Sequence, residues 1–459
     1  MNASIPGLVI AAPASGSGKT TVTLGMLAAL TRRGMRVSPF KVGPDFIDPG
    51  HHSRVTGRTS RNLDGWMLDE ATNRGIFARG AKDADIAVVE GVMGLFDGYD
   101  GRSESGSTAQ TARWLGLPVL LVVDARSMAR SFAALVKGFT EFDPACRFCG
   151  VVANNVGSPR HLEYLREAME ALPDVPLLGG IPGNAEIAIP ERHLGLYTAD
   201  DYALGEDTMQ GLAALVEGNM DLDALLASLP RVAPGSEELN TAEPTVRLGV
   251  ARDRAFCFYY EDNLDALRLA GCEIVPFSPI RDATVPDGLH GLYFGGGYPE
   301  LFAGALAANE PMKKSVRDLC QAGMPIYGEC GGFMYLSEKL VTREGAEHAM
   351  CGIFPFITAM QGKLASLGYR EVRMLDDTPL GPAGATLRGH EFHYSRMAEA
   401  PGGAREVYGA TDRAGNDRGC PGWMVKNCVG SYVHAHFLSN PGIAAHFAAA
   451  CHEYKEGTG

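Results

Sequence analysis

Ala12-Pro13-Ala14-Ser15-Gly16-Ser17-Gly18-Lys19-Thr20-Thr21 follows the apolar run Leu8 to Ala12 and precedes a helix-forming run. That setting is a phosphate loop between a strand and a helix. Glycines let successive N–H groups curl round an anion, and the helix N-terminus adds positive potential. Lys19 neutralises phosphate oxygens and the Thr20 hydroxyl can ligate Mg²⁺. Ser15, Gly16, Ser17, Gly18, Lys19, Thr20 and Thr21 are therefore the expected nucleotide-binding residues, and the chain is expected to consume ATP or GTP. The general G-x-x-x-x-G-K-[ST] pattern asks for glycine where this chain has Pro13, so the loop starts without that permissive residue. A glycine-rich turn with no ligand is the bland alternative, but Gly-Lys-Thr at a strand-to-helix junction is the half the mechanism needs.

Outward from the loop, short apolar runs alternate with amphipathic ones: Leu8 to Ala12, Val37 to Val42, Ile86 to Glu90, Pro118 to Asp124 and Gly150 to Asn155. The rhythm predicts a doubly wound parallel α/β sheet with functional residues at the carboxyl ends of its strands. ATP chemistry needs a metal, and Mg²⁺ prefers oxygen ligands. Asp45 and Glu90 join Thr20 as candidate metal ligands, with Asp48 and Asp97 as further candidates for the metal. Turn chemistry in Asp48-Pro49-Gly50 and Phe96-Asp97-Gly98 accounts for those last two equally well. Asn154 and Asn155 either read an adenine edge or close a strand.

From Ser228 to Pro244 the chain turns polar and proline-bearing, which marks a linker. The predicted organisation is a first domain over 1–227, a linker over 228–245 and a second α/β domain over 246–459. There the rhythm resumes with Arg247 to Ala251, a helix near Asp262 to Ala270, Glu273 to Phe277, Gly291 to Phe294, a helix near Pro311 to Ala322, and Pro325 to Gly328. The two halves are not repeats of each other.

Gly328-Glu329-Cys330-Gly331-Gly332 at the end of the last run is the sulfur analogue of a nucleophile elbow, in which flanking glycines permit a tight strand-to-helix turn. A thiolate at a helix N-terminus is expected to have a lowered pKa. A thiol nucleophile needs a base and an oxyanion site. Gly430-Ser431-Tyr432-Val433-His434-Ala435-His436-Phe437 offers two histidines on one side of a strand. Gly296, Gly297 and Gly331 are candidate oxyanion donors, although a plain glycine turn explains the first two as well. Arg388 to Ser395 is rich in titratable groups and reads either as part of a site or as a structural loop or domain interface.

The 459 residues carry a net charge of −13, which argues against general nucleic-acid binding and against an anionic membrane surface. An anionic substrate would need a locally basic pocket. Arg102 and Arg126 could line one, though solvated surface positions explain either alone. The N-terminus shows no basic targeting segment and no run reaches membrane-spanning length, so a cytoplasmic protein is expected. Ten cysteines read as reduced thiols, and the lone C-x-x-C of Cys146 and Cys149 reads as buried or solvent-facing thiols rather than a metal or redox pair.

Taken together, A-P-A-S-G-S-G-K-T, K-V-G-P-D-F-I-D-P, V-V-E-G-V-M-G-L-F-D-G, G-G-G-Y-P-E, Y-G-E-C-G-G-F-M-Y-L, G-H-E-F-H-Y-S and G-S-Y-x-H-x-H-F resemble the cobyrinic acid a,c-diamide synthase family from end to end. Pro13 is ordinary within that group. The resemblance implies a dethiobiotin synthetase-like ATP domain followed by a class I glutamine amidotransferase domain. It implies ATP and Mg²⁺ as cofactors, glutamine and a corrin carboxylate as substrates, and amidation of the a and c acetates through an acyl phosphate. It also implies that Cys330 forms a glutamyl thioester with His434 as base, that ammonia travels inside the protein, and that Asp45 and Glu90 serve metal and nucleotide with Asp97 near the activated carboxylate. The wider amidotransferase class places an orienting glutamate two residues after the histidine, where this chain has His436. A homodimer is one assembly left open. Rival readings are the same chemistry on hydrogenobyrinic acid or nickel sirohydrochlorin, and a non-catalytic partition-type ATP switch, which leaves Cys330 and His434 unexplained.

Overall fold

The computed structural model describes residues 4–183, 205–233, 243–398, 403–419 and 421–458. The chain divides into two compact units, Met1–Glu238 and Leu239–Gly459. Part of the expected linker, 234–242, lies outside the described residues.

In the first unit the strands are β1 (Ile5–Ala11), β2 (Val37–Val42), β3 (Arg61–Leu63), β4 (Ile86–Glu90), β5 (Val119–Asp124), β6 (Phe148–Val156) and β7 (Leu177–Pro182). They hydrogen-bond in the order β3-β2-β4-β1-β5-β6-β7, every pair parallel. Helices cover both faces of such a sheet, so its strands read as unbroken apolar runs; every residue of β2 and β4 is buried. A short β8 (Arg231–Val232) pairs antiparallel with the start of β1, tying part of the expected 228–245 stretch to this unit. Two helices matter for chemistry, α1 (Lys19–Arg32) and α2 (Ile47–Thr56).

Register builds the site. Ile10 of β1 and Lys41 of β2 both pair with Glu90 at the carboxyl end of β4. The phosphate loop starts directly after β1, so Lys41 and Glu90 end at its foot.

The second unit is mixed. Its strands are β9 (Val246–Ala251), β10 (Cys272–Phe277), β11 (Gly291–Phe294), β12 (Ile326–Glu329), β13 (Ser337–Val341), β14 (Glu347–Ala349), β15 (Phe354–Met360), β16 (Ser366–Met374), β17 (Thr386–His393), β18 (Ser395–Met397), β19 (Arg405–Thr411), β20 (Gly422–Val425), β21 (Cys428–Ser431) and β22 (His434–His436). The main sheet runs β10-β9-β11-β12-β21-β20-β19-β16-β17-β22, parallel as far as β21 and antiparallel beyond it. A smaller sheet is ordered β14-β13-β15-β18. The Arg388 to Ser395 stretch, for which a structural loop was one reading, lies on β17 and β18. Its inner face pairs His390 with His434 of β22.

Among the described residues no helix is long and apolar enough to cross a membrane.

Candidate active sites

In the first unit Gly18 caps α1 in a left-handed conformation (φ 93°) without a side-chain cap. A helix start leaves its first N–H groups without carbonyl partners, and here they face the loop. A Cβ on Gly18 would collide with the Asn154 amide. That amide donates to the Ser17 carbonyl at 2.9 Å. Asn154 therefore braces the loop from the end of β6, a contact that neither of its two sequence readings named. Ala14, Ser15 and Gly16 form an exposed crest, while Ser17 and Lys19 are buried beneath it. Thr21 lies in the first turn of α1.

Lys19 Nζ donates to the Met93 carbonyl at 2.6 Å, which aligns it across the mouth of the loop. Burial, reinforced by the charge of Lys41, lowers its pKa. Thr20 Oγ1 donates to Glu90 Oε1 at 2.7 Å. Lys41 Nζ lies 2.7 Å from Asp48 Oδ2 and 3.2 Å from Glu90 Oε1. His52 Nε2 meets Glu90 Oε2 at 2.7 Å, with Ser60 at 3.2 Å from its other ring nitrogen. Burial opposes the charge on both Lys41 and Glu90. At Lys41 the carboxylates Asp48, Glu90 and Asp45 together outweigh it and raise that pKa, and at Glu90 the Lys41 charge with the hydrogen bond and charge of His52 together outweigh it and lower that one.

Asp48, for which a turn was an equal reading, sits in the first turn of α2 with its carboxylate on Lys41. Asp45 Oδ1 accepts the Ile47 N–H at 2.9 Å at the entry to that helix. Asp97 is exposed, and its Oδ2 accepts the Gly94 N–H at 2.9 Å in the loop after β4. Among the described residues no group of three or more His, Cys, Asp or Glu forms a ready-made metal cage. Lys41 and His52 were not singled out from sequence: a lysine ending an apolar run, and a histidine inside an unremarked helix, carry no spacing signal.

In the second unit Cys330 joins β12 to the helix Gly331–Leu336 with φ 46° and ψ −101°, a strained conformation for a residue with a Cβ. Its N–H donates to the Ser431 carbonyl at 2.8 Å, which fixes the turn against β21. A Cβ on Gly332 would strike the Phe294 carbonyl, so only glycine lets the helix start this close to β11. Burial, then the Glu300 carboxylate, raises the Cys330 thiol well above its ordinary value. This overturns the lowered pKa expected from a helix N-terminus: six residues of helix do not offset full burial beside carboxylates. Cys330 needs a proton acceptor.

His434 stands on β22, 2 % exposed, with the Gly296 Cα against its ring. Gly297 of the same turn packs on Gly331, so one glycine-rich segment touches both the elbow and the histidine. The Gly296 N–H donates to the Phe258 carbonyl at 3.2 Å, whereas the Gly331 N–H faces the thiol. His390 stacks on His434 with ring centroids 4.9 Å apart and takes the Tyr260 hydroxyl on Nδ1 at 2.9 Å. His436 packs on the Tyr260 ring at 4.6 Å. Glu329, the residue before the nucleophile and not singled out from sequence, is 1 % exposed, with Oε2 3.8 Å from His434 Nδ1. Cys146 and Cys149 are buried free thiols, pushed up by burial to about 11 and about 12, in line with the bland reading of that pair.

A phosphate loop backed by a buried lysine–carboxylate cluster, and a cysteine elbow beside a histidine, define a nucleotide-dependent enzyme joined to a glutamine amidotransferase module. Residues 8–196 match the family model described as CobQ/CobB/MinD/ParA nucleotide binding domain, and residues 247–442 match the one described as CobB/CobQ-like glutamine amidotransferase domain. Cobyrinate a,c-diamide synthase of Syntrophotalea carbinolica is 49% identical over 454 residues, covering 98% of this chain and 99% of that protein. The proteins of the same name from Leptospira interrogans (41% identical, 98% of this chain and 99% of that protein) and Salmonella typhimurium (42% identical, 96% and 97%) align almost as fully. The chain belongs to the cobyrinate a,c-diamide synthase family and is an amidating ligase with an ATP-binding domain.

Proposed function

We propose that the chain converts the a and c acetate carboxylates of cobyrinic acid into primary amides, using glutamine as nitrogen donor and ATP to activate each carboxylate. The observation that carries the reading is the Cys330 elbow and His434 meeting on one glycine-rich turn, in a chain that also holds a phosphate loop. The printed name of the full-length relatives supports the choice of macrocycle.

At the second unit His434 takes the Cys330 proton as Sγ attacks the glutamine carboxamide carbon. The Gly297 and Gly331 N–H groups hold the developing oxyanion, since that of Gly296 already has an acceptor. His434 then protonates the leaving nitrogen, ammonia departs, and water releases glutamate from the thioester.

At the first unit a substrate carboxylate oxygen attacks the γ-phosphorus of ATP, and ADP leaves. Lys19 compensates charge on the phosphate oxygens, and Ser15 to Thr21 cradle them. Thr20, Glu90 and Asp45 would hold Mg²⁺ alongside phosphate and water: all three are hard oxygen donors, and the Thr20 hydroxyl and Glu90 Oε1 meet at 2.7 Å at the foot of the loop. When bound, Mg²⁺ screens the phosphate charge. Asp48 and Asp97 are assigned to the activated carboxylate's side of the site. Ammonia attacks the acyl phosphate carbon and inorganic phosphate leaves, giving the amide.

The test supplies glutamine, ATP and, separately, cobyrinic acid, hydrogenobyrinic acid or nickel sirohydrochlorin, and counts amides by mass. Two amides on cobyrinic acid are expected; diamide formation on one of the other macrocycles alone reassigns the substrate. Cys330→Ala should lose glutamine-dependent amidation and keep the reaction with high ammonium salt. A folded, ATP-binding variant that uses neither nitrogen source overturns the division of labour.

A further inference from the structure

The amidotransferase reading leaves one gap, because the place for an orienting acid two residues after His434 is filled by His436. We propose that Glu329, the residue immediately before the nucleophile, is the positioning residue that orients His434 and stabilises its imidazolium. The proposal rests on Cys330 and His434 acting as described above.

The geometry is specific. Glu329 is the last residue of β12, paired in register with Ser431 of β21, and the chain reaches His434 three residues later. Its Oε2 lies 3.8 Å from His434 Nδ1, and its Oε1 accepts the Ala435 N–H at 3.3 Å. One carboxylate thus grips both the main chain of β22 and the flank of the histidine. The hydroxyl of Tyr327 also faces it. Distances of this kind are commonly long without substrate and shorten as the imidazole becomes cationic.

The energetic need is equally specific. The Cys330 thiol is held protonated by burial, so catalysis must create an imidazolium at a position 2 % exposed. An imidazolium there needs an anion within a few ångströms. Other ionisable groups around His434 serve this poorly. His390, stacked from β17, would repel a second positive charge and is held neutral by burial. Glu391 is already paired with Arg370 at 2.5 Å, and His436 faces Tyr260. Glu300 acts on the thiol. Glu329 is the carboxylate that touches the histidine.

Glu329→Gln keeps the acceptor for Ala435 and removes the charge. Glutamate release, measured with ATP and macrocycle present, should fall about 100-fold or more in kcat with KM within about twofold. An adjacent anion raises an imidazole pKa, so removing it should move the acidic limb of the kcat/KM profile to lower pH. Glu329→Asp should restore part of kcat and the parental limb. Thermal unfolding checks the fold; if the Gln variant does not fold, the Asp variant carries the test, with reduced kcat at unchanged KM expected. Parental kcat and limb in a folded Gln variant, or in the Asp variant when it stands in, overturn the role of Glu329 while Cys330→Ala remains inactive with glutamine. Continued glutamine hydrolysis by Cys330→Ala would instead overturn the underlying reading.

Discussion

Thr20 donates its hydroxyl hydrogen bond to Glu90 Oε1 across 2.7 Å, latching the first turn of α1 to the end of β4. Thr20→Val removes both the latch and a hard oxygen donor, whereas Thr20→Ser keeps both. A hydrogen bond to a charged group contributes about 1.5–3 kcal/mol, so the Val variant should bind ATP with Mg²⁺ roughly 10- to 100-fold more weakly. The Ser variant should stay close to the parent. Titration calorimetry with and without Mg²⁺ reads the difference, and parental affinity in Thr20→Val refutes it.

Lys41 separates two buried carboxylates, Asp48 and Glu90. Lys41→Met leaves them facing each other, and uncompensated buried charge costs about 3–5 kcal/mol. Denaturant unfolding at neutral pH should show that loss, and adding Asp48→Asn should recover a good part of it. A Lys41→Met protein as stable as the parent would show that the cluster is not held by this lysine.

Acid should act on the same cluster. The folded pKa of Glu90 lies below its ordinary 4.5: burial by itself would raise it, but the Lys41 charge together with the hydrogen bond and charge of His52 more than offset that. Its contribution to stability is therefore complete above that ordinary value and is lost as pH falls through the lowered one. Glu90→Gln should unfold more easily than the parent at neutral pH, with the gap narrowing once pH drops below 4.5. Denaturant midpoints across that range test it; a constant gap would contradict the linkage.

Gly16 and Gly18 both have positive φ, but only Gly18 is crowded, against Asn154. Gly16→Ala meets nothing within 4 Å and should cost about 1 kcal/mol in backbone strain. Gly18→Ala adds a collision to that strain and should weaken ATP binding further than Gly16→Ala does. Equal affinities in the two variants would mean that Asn154 yields freely.

Lys19→Ala should stop amide formation with glutamine or ammonium alike, while glutamine hydrolysis at Cys330 survives. Amides are counted by mass and glutamate by enzymatic assay. Retained amidation would remove the phosphate loop from the chemistry.

Much of this architecture is written in apolar runs. Val37–Val42, Ile86–Glu90 and Gly291–Phe294 are predicted to the residue, because strands buried on both faces need continuous apolar sequence. β3 escapes notice as Arg61-Asn62-Leu63, and the antiparallel half escapes because strands such as Phe354–Met360 alternate buried and half-buried positions. Site residues divide in the same way. Lys19, Thr20 and Cys330 sit in motifs whose spacing suggests a chemistry, whereas Glu90 and His434 are candidates by their place at or near a strand end and by resemblance. Lys41 and His52 reach Glu90, and Glu329 reaches His434, across more than thirty residues of sequence, which only register brings together.

β21 ends at Ser431 and β22 begins at His434, so Tyr432 and Val433 alone join the strand that anchors the Cys330 turn to the strand that carries the histidine. That joint works as a ruler. Side chains alternate faces along an extended chain, so one inserted or deleted residue would turn the imidazole away from the sulfur rather than shift it slightly. The spacing between acid–thiol pair and base is thus counted in peptide bonds.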